Sequence, residues 1–395
     1  MKSARNIRVV ALAVTLALGG AVGCAKQESS GGDAAQIKIG VDIEMSGPAA
    51  VQGKAYKRAV RLVAEQINAD GGVQVGDEKK KIKLIIRDNK SDPAESLTVV
   101  KSLIDNDHVT AIVGGGSSPT TMSVVDTVER KKVPLVSMGS STAIVSPIAE
   151  RQYVFKTPGN TNVVADMMMK SLRKKDVHKV ALLTVDNAYG EAGLEAWQNL
   201  QAQDKVELAD IEKFTDEDKN YTVQVSKMLA TDPDAVVVWA IPPGAGIAAK
   251  NLKQAGYPAD QVFFDTGAGA ELFIKGAGKA AEGMHMVHSP VLAGDEITAN
   301  DASARTEKKF YEDYTEKYGH FSGFAPMAAD ALTAITKAIT AAGTLDHKAV
   351  RDALENLSFH GAYGDYHFSR SYHGGVLESS LCMMKVEDGA WHRAE

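Results

Sequence analysis

The stretch Ile112-Val-Gly-Gly-Gly-Ser-Ser-Pro-Thr-Thr121 decides the fold. Two β-branched residues end a strand, three glycines turn the chain, and Pro119 among hydroxyl residues opens a helix. A strand that feeds a helix through a tight turn is the unit of a parallel sheet, and it leaves free backbone N–H groups at the turn. The next strand repeats the arrangement in Val136-Ser-Met-Gly-Ser-Ser-Thr142. Serine and threonine also stand at such positions simply to cap helices. Two such loops on consecutive strands favour a binding wall, small and uncharged, that holds a carboxylate through hydroxyls and N–H groups without burying a lysine.

Outward from these loops the chain alternates. Residues 37–43, 82–87, 109–113 and 133–137 read as strands. Between the first two, residues 54–68 put Tyr56, Ala59, Val60, Val63 and Ile67 on one helical face, and Asp92-Pro-Ala-Glu95 has the spacing of a helix start. After Thr157-Pro-Gly159 the pattern resumes, with strands at 179–185, 235–239 and 261–265 and helices near 163–172, 191–200, 223–229 and 247–255. Such alternation predicts an α/β fold of parallel sheets covered on both faces. About 360 residues exceed one comfortable core, so two α/β lobes are expected, with Thr157-Pro-Gly159 as the first crossing. Helical stretches at 305–317 and 327–342 precede a strand-like C-terminus, so the chain crosses more than once. The expected division is 37–156 with 289–358 in one lobe and 157–288 with 359–395 in the other.

The N-terminus carries a different signal. Lys2, Arg5 and Arg8 precede an apolar run from Val9 to Val22, too short to span a bilayer comfortably, and Ala21-Val-Gly23 lead to Cys24. This resembles a bacterial lipoprotein signal, with alanine at position 21 where leucine is usual. The resemblance implies removal of residues 1–23, lipidation of Cys24 and a flexible tether over 24–36, which are small and polar. A plain secretory signal with an incidental cysteine is the alternative. Either places the mature chain outside the cytoplasm, in the periplasm or cell envelope, and the lipid would hold it to a membrane.

Composition is that of an ordinary globular domain, at 44% hydrophobic and 24% charged residues. The formal charge of −6 becomes about −9 once the leader's three cations are removed, which argues against nucleic acid as a partner. With Cys24 lipidated, Cys382 has no disulfide partner, and its apolar strand-like surroundings point to an inert buried thiol.

The ordered combination of Glu44-Met-Ser-Gly-Pro48, Gly71-Gly72, Asp88-Asn89 with Asp92-Pro-Ala94, the two serine loops, Asp186-Asn-Ala-Tyr-Gly190 and Ala281-Glu-Gly283 resembles the leucine/isoleucine/valine-binding proteins. These are type I periplasmic solute receptors of ABC importers. The resemblance runs from about Ile37 to the C-terminus. It implies a periplasmic binding protein type I fold of two Rossmann-like lobes joined by three crossings, hinge closure on a small carboxylate-bearing ligand, delivery to an inner-membrane permease, and a monomer without cofactor or metal.

Carried over by position, Ser118 matches the serine that binds the amino acid and Ser141 the carboxylate-binding threonine, with Thr142 beside it. Gly139 falls where a backbone carbonyl meets the ligand amine, Tyr189 matches a cleft tyrosine of the second lobe, and Phe324 a cleft aromatic. Three positions depart from the pattern. A second tyrosine falls at Ile241, an aromatic at Gln52, and the amine-binding glutamate at Gly267, so an ammonium group would lose its main ionic partner. Asp265 either substitutes for that glutamate or caps the turn Thr266-Gly-Ala-Gly269.

Other residues read blandly. Met167–Met169 fill a helix face. Trp239 is evenly balanced between lining the cleft and covering a sheet end. His285 and His288 fit a crossing strand that exposes alternate side chains, without the further ligands a zinc site needs. The tyrosines and histidines from His360 to His373 mark turns and surface. No Gly-x-Ser-x-Gly elbow, His-Glu-x-x-His helix or complete phosphate loop is present, so enzyme readings fare poorly. An envelope scaffold or sensor on the same fold is the remaining alternative to a receptor.

Overall fold

In a computed structural model, residues 36–203 and 205–394 are described. The leader, Cys24 and the tether lie outside them, except Gln36. Among the described residues no helix is long and apolar enough to cross a membrane.

The first lobe is a strand-and-helix alternation: β1 (Gln36–Ile43), α1 (Ala50–Ala69), β2 (Val73–Val75), β3 (Glu78–Asp88), α2 (Pro93–Asp105), β4 (Ala111–Gly114), α3 (Ser118–Lys131), β5 (Leu135–Ser137) and β6 (Val154–Lys156). Its sheet runs β2-β3-β1-β4-β5-β6, parallel except for the β2–β3 pair. Ile37, Ile39, Val41 and Ile43 of β1 are buried along one face, and Gly40 and Asp42 are buried on the other, as suits a central strand covered on both sides. At α2 the Asp92 side chain accepts from the Glu95 N–H and Pro93 opens the helix.

The second lobe repeats the plan with α4 (Thr161–Lys174), β7 (Lys179–Val185), α5 (Ala188–Ala202), β8 (Glu207–Phe214), α6 (Thr222–Ala230), β9 (Ala235–Trp239), α7 (Gly244–Gln254), β10 (Val262–Phe264), α8 (Glu271–Ala277) and β11 (His285–His288). The chain then forms α9 (Ala302–Tyr318), α10 (Ala325–Ala342), α11 (His347–Leu354), the hairpin of β12 (Ser358–His360) and β13 (Asp365–His367), and finally β14 (Cys382–Glu387) and β15 (Ala390–Arg393). The second sheet runs β15-β14-β11-β10-β9-β7-β8, parallel except for the antiparallel pairs β11–β14 and β14–β15. Helix α10 returns to the first lobe, where it packs on α1 and α11. Leu332, Ile335 and Ile339 of α10 are fully buried, each contributing roughly 1.5–3 kcal/mol.

Two crossings lie side by side. The Lys156 N–H donates to the His373 carbonyl, Gly375 N–H to the Lys156 carbonyl and Val376 N–H to the Thr157 carbonyl. Gly375 has φ +56°, and a Cβ there would lie 1.7 Å from the Pro158 carbonyl oxygen, so only glycine lets the strands meet. The return therefore falls near residues 373–376, later in the chain than the expected boundary at 358.

Several local expectations change. His285 to His288 form an inner strand paired on both sides, and all four residues are buried. The segment 360–373 is not mainly surface, since Tyr363, Tyr366 and His373 are buried. Its organiser is Asp330 on α10, whose carboxylate accepts from the N–H groups of Ala362 and Tyr363 and from the Tyr366 hydroxyl. A carboxylate 32 residues or more away leaves no mark on the local pattern. Cys382 begins β14, and burial pushes its thiol up to about 11, which leaves it a poor nucleophile.

Candidate ligand-binding site

Both lobes turn the C-terminal ends of their parallel strands toward one cavity, with about 680 Å³ of space counting its open mouth. In each sheet the strand order reverses about a central strand, β1 in the first and β7 in the second, and ligands of open parallel sheets bind at such points.

The first-lobe wall comes from the turns after β1, β4 and β5. Helix α3 starts with a capping box between Ser117 and Thr120, and Thr120 also donates to the buried Glu44 at 2.7 Å. Thr121 joins the two loops, as its hydroxyl bonds the Gly115 carbonyl and Ser137. Ser137 in turn accepts from the Gly139 N–H. Ser118 accepts from the Ser141 N–H at 3.1 Å, so its own hydroxyl hydrogen is free to donate into the cavity. The wall is thus fixed in place by its own hydrogen bonds, and the positive end of α3 points at it.

Two carboxyls lie behind this wall. Asp42 accepts from Ser96 at 2.5 Å through one oxygen while the other has no partner, and burial pushes it up to about 7. Burial likewise raises Glu44, whose second oxygen is also unpartnered.

The second-lobe wall is built differently. Asn187 caps α5 by accepting from the Tyr189 and Gly190 N–H groups, which sets Tyr189 facing the cavity. The Tyr189 hydroxyl donates to Asp265, which also accepts from the N–H groups of Gly267 at 3.0 Å and Ala240 at 3.1 Å. Asp265 is fully buried, and that burial pushes it up to about 8 despite its three donors. Gly267 makes room for the pair, since a Cβ there would lie 2.6 Å from the Tyr189 hydroxyl and 2.7 Å from the Ala240 carbonyl.

Seven of the ten expected ligand residues line the cavity: Gln52, Ser118, Gly139, Tyr189, Ile241, Gly267 and Phe324. Three do not. Ser141 caps a short 3₁₀ turn by accepting from the Ala143 N–H and borders a neighbouring groove. Thr142 bonds Thr161 of α4 at 2.8 Å. Asp265 lies behind Tyr189 rather than in the wall. Trp239 is buried next to Tyr189, ring centroids 6.2 Å apart, and covers the sheet end.

Sequence reasoning missed Asp216 and Asn187 as cavity residues. Asp216 lies in Thr215-Asp-Glu-Asp-Lys-Asn220, a run that reads as a solvated loop, and β8 before it is an edge strand whose charged residues hid it. Partial loss of solvent raises the Asp216 carboxyl above its ordinary value, opposed by a hydrogen bond from Asn187 and by the charge of Lys219.

Two parallel-sheet lobes, a cavity between their strand ends and adjacent crossings define a two-lobed solute-binding fold of type I. The chain belongs to the periplasmic binding protein family, whose model matches residues 36–390. It is 26% identical over 336 residues to the leucine-, isoleucine-, valine-, threonine- and alanine-binding protein of Pseudomonas aeruginosa, covering 84% of this chain and 85% of that one. An extracellular ligand-binding receptor from Rhodopseudomonas palustris HaA2 superposes with a TM-score of 0.81 at 26% identity, covering 91% of this chain and 99% of that one. The branched-chain amino acid transporter substrate-binding protein LivJ of Streptococcus pneumoniae, solved with isoleucine, gives 0.78 at 25% identity, with 91% and 99% covered.

Proposed function

We propose that this chain is the extracytoplasmic solute receptor of an ABC importer and that it carries a small aliphatic α-amino acid to an inner-membrane permease. The observation that carries this is a cavity lined from both lobes, in which hydroxyl groups and the start of α3 face apolar surface from Met138, Ile241, Phe324 and Met327. The polar side suits a carboxylate and the apolar side an alkyl chain. The named Pseudomonas relative and the isoleucine complex of LivJ support the ligand class. The role is binding without turnover, with ligand linking the lobes and drawing them together.

Gly267 and Ile241 favour a second reading, a carboxylic acid without an amine, because neither supplies a polar side chain where an ammonium would otherwise be held. A calorimetric screen that pairs each amino acid with its deaminated analogue separates the two. Tight, saturable binding of leucine or valine without chemical change is expected. Binding of no small carboxylate would overturn the receptor reading. Lipid attachment at Cys24 is part of the same proposal, and Cys24→Ser is expected to abolish palmitate labelling and membrane association.

A further inference from the structure

We infer that Asp216 holds the ammonium group of the ligand from the second lobe, with Gln52 as a second acceptor from the first. The inference rests on the receptor reading and makes the ligand a zwitterion rather than a simple anion.

Among the described residues that line the cavity, Asp216 has the one charged side chain. No lysine, arginine or histidine among the described residues lines it. Behind the first wall Lys156 is fully buried and donates to the carbonyls of Ser140 and Gly159, and burial holds it well below the ordinary lysine range. A ligand with only a carboxylate would therefore meet helix ends and hydroxyls at one end and a like charge at the other. A zwitterion has a partner at both.

Asp265, just after β10, does not serve this role. Asp265 has both oxygens occupied, by Ala240 N–H on one and by Gly267 N–H and Tyr189 on the other, and it lies outside the cavity lining. Asp216 is engaged by the Asn187 amide and by the charge of nearby Lys219, and unlike Asp265 it lies in the cavity lining. Asn187 uses its carbonyl oxygen to cap α5, so its amide N–H is what meets the Asp216 carboxylate and orients it.

The loop that carries Asp216 is braced at both ends. The rings of Phe214 and Tyr221 stack with centroids 4.3 Å apart, Thr215 N–H donates to Asp218, and Tyr221 N–H donates to Asn251 on α7. A carboxylate on a braced loop loses little freedom when it takes a partner. Gln52 adds an independent observation, because its amide oxygen is buried in the cavity wall with no hydrogen-bond partner. Such an atom calls for a donor from outside the protein. An ammonium group has three.

Calorimetry on the full mature chain tests this, with L-leucine, L-valine and L-alanine each beside its deaminated acid, in wild type, Asp216→Asn and Asp216→Glu. The expected result is wild-type preference for an amino acid, a loss of at least about tenfold for it in Asp216→Asn, partial recovery in Asp216→Glu, and unchanged or tighter binding of the deaminated acid. Thermal melts of both variants report folding separately, and Asp216 lies exposed at the cavity mouth, where an isosteric change is tolerated. Amino-acid binding within threefold of wild type in Asp216→Asn would overturn the role of Asp216 and leave the receptor reading standing. Wild-type preference for the deaminated acids would overturn both this inference and the amino-acid ligand. Binding of neither set would overturn the inference together with this choice of ligand class.

Discussion

The two walls of the cavity solve the same problem by opposite means. The first-lobe wall is neutral at its surface and centres on two short runs, 116–119 and 138–140, with serine and threonine hydroxyls tying their loops together. The second-lobe wall is assembled from four strand ends, and its central contact joins Tyr189 to Asp265, 76 residues apart. Each has buried carboxyls behind it, but they are satisfied differently. Asp42 leaves one oxygen unpartnered, whereas Asp265 fills both. The difference teaches that burial raises a carboxyl even where donors are plentiful, and that only the second wall makes its acid part of the surface geometry.

The largest effect that tests this contrast is on stability against pH. Asp42 and Asp265 have folded values raised from 3.8 to about 7 and about 8. Between 3.8 and those values the folded chain holds protons that the unfolded chain has released, so stability is greatest at the acid end and falls as pH rises. Each group removes up to about 1.4 kcal/mol per pH unit in that window. Chemical denaturation from pH 5 to 8 is expected to show a flatter slope in Asp42→Asn with the fold retained. Asp265→Asn is expected to be destabilised throughout, because its amide N–H₂ would face the donors of Gly267 or Ala240. Equal behaviour of the two variants would erase the distinction between the walls.

Next in size is Gly267→Glu, which restores the acid that the family resemblance leads one to expect there. Its Cβ would enter space held by the Tyr189 hydroxyl and the Ala240 carbonyl, and its charge would lie near Asp265. Overpacking of this kind costs roughly 1–3 kcal/mol and an unpaired charge adds to it. A drop of about 3 kcal/mol or more in unfolding free energy is expected, partly recovered by removing the clash in Gly267→Glu/Tyr189→Phe. An undisturbed melting curve for the single variant would show that the second wall is plastic.

What the sequence made legible follows the same line. The first wall was readable because strand, glycine turn and helix start are contiguous, and Ser118 and Gly139 lie inside that pattern. Tyr189 was reached only through the resemblance carried by Asp186-Asn-Ala-Tyr-Gly190, and it does line the cavity. Asp216 was not, since nothing local separates a cavity acid from a solvated one, and the edge strand before it carries charges on exposed positions. The third crossing was misplaced for a similar reason. Asp330 draws the segment 362–366 into the core through contacts more than 30 residues apart in sequence, and composition alone shows only tyrosine, histidine and glycine.

A smaller effect concerns binding alone. Ser118 lines the cavity and its oxygen accepts from Ser141, which leaves its hydroxyl hydrogen to donate, so Ser118→Ala is expected to remove a donor to a charged carboxylate. A loss of about 1–3 kcal/mol in calorimetric binding free energy is expected, with little change in melting temperature. An unaltered dissociation constant would show that helix α3 and the backbone hold the carboxylate without that hydroxyl.

The smallest effect is expected at Ser141 and Thr142, and it sharpens where the first wall ends. The contribution of Ser141 to the wall is its backbone N–H, which Ser118 accepts and which survives replacement by alanine. Its hydroxyl is used by the Ala143 N–H, away from the cavity lining, and the Thr142 hydroxyl is used by Thr161 across the lobes. Ser141→Ala should therefore lose the cap of one short turn, about 0.5–1 kcal/mol of stability, and leave ligand affinity within about twofold. Thr142→Ala should leave affinity equally intact, since its partner stands on α4 and not on the cavity wall. A tenfold loss of binding in Ser141→Ala alone would mean that lobe closure turns this hydroxyl into the cavity. The first wall would then be as dependent on the second lobe as the second wall is on its own distant strands.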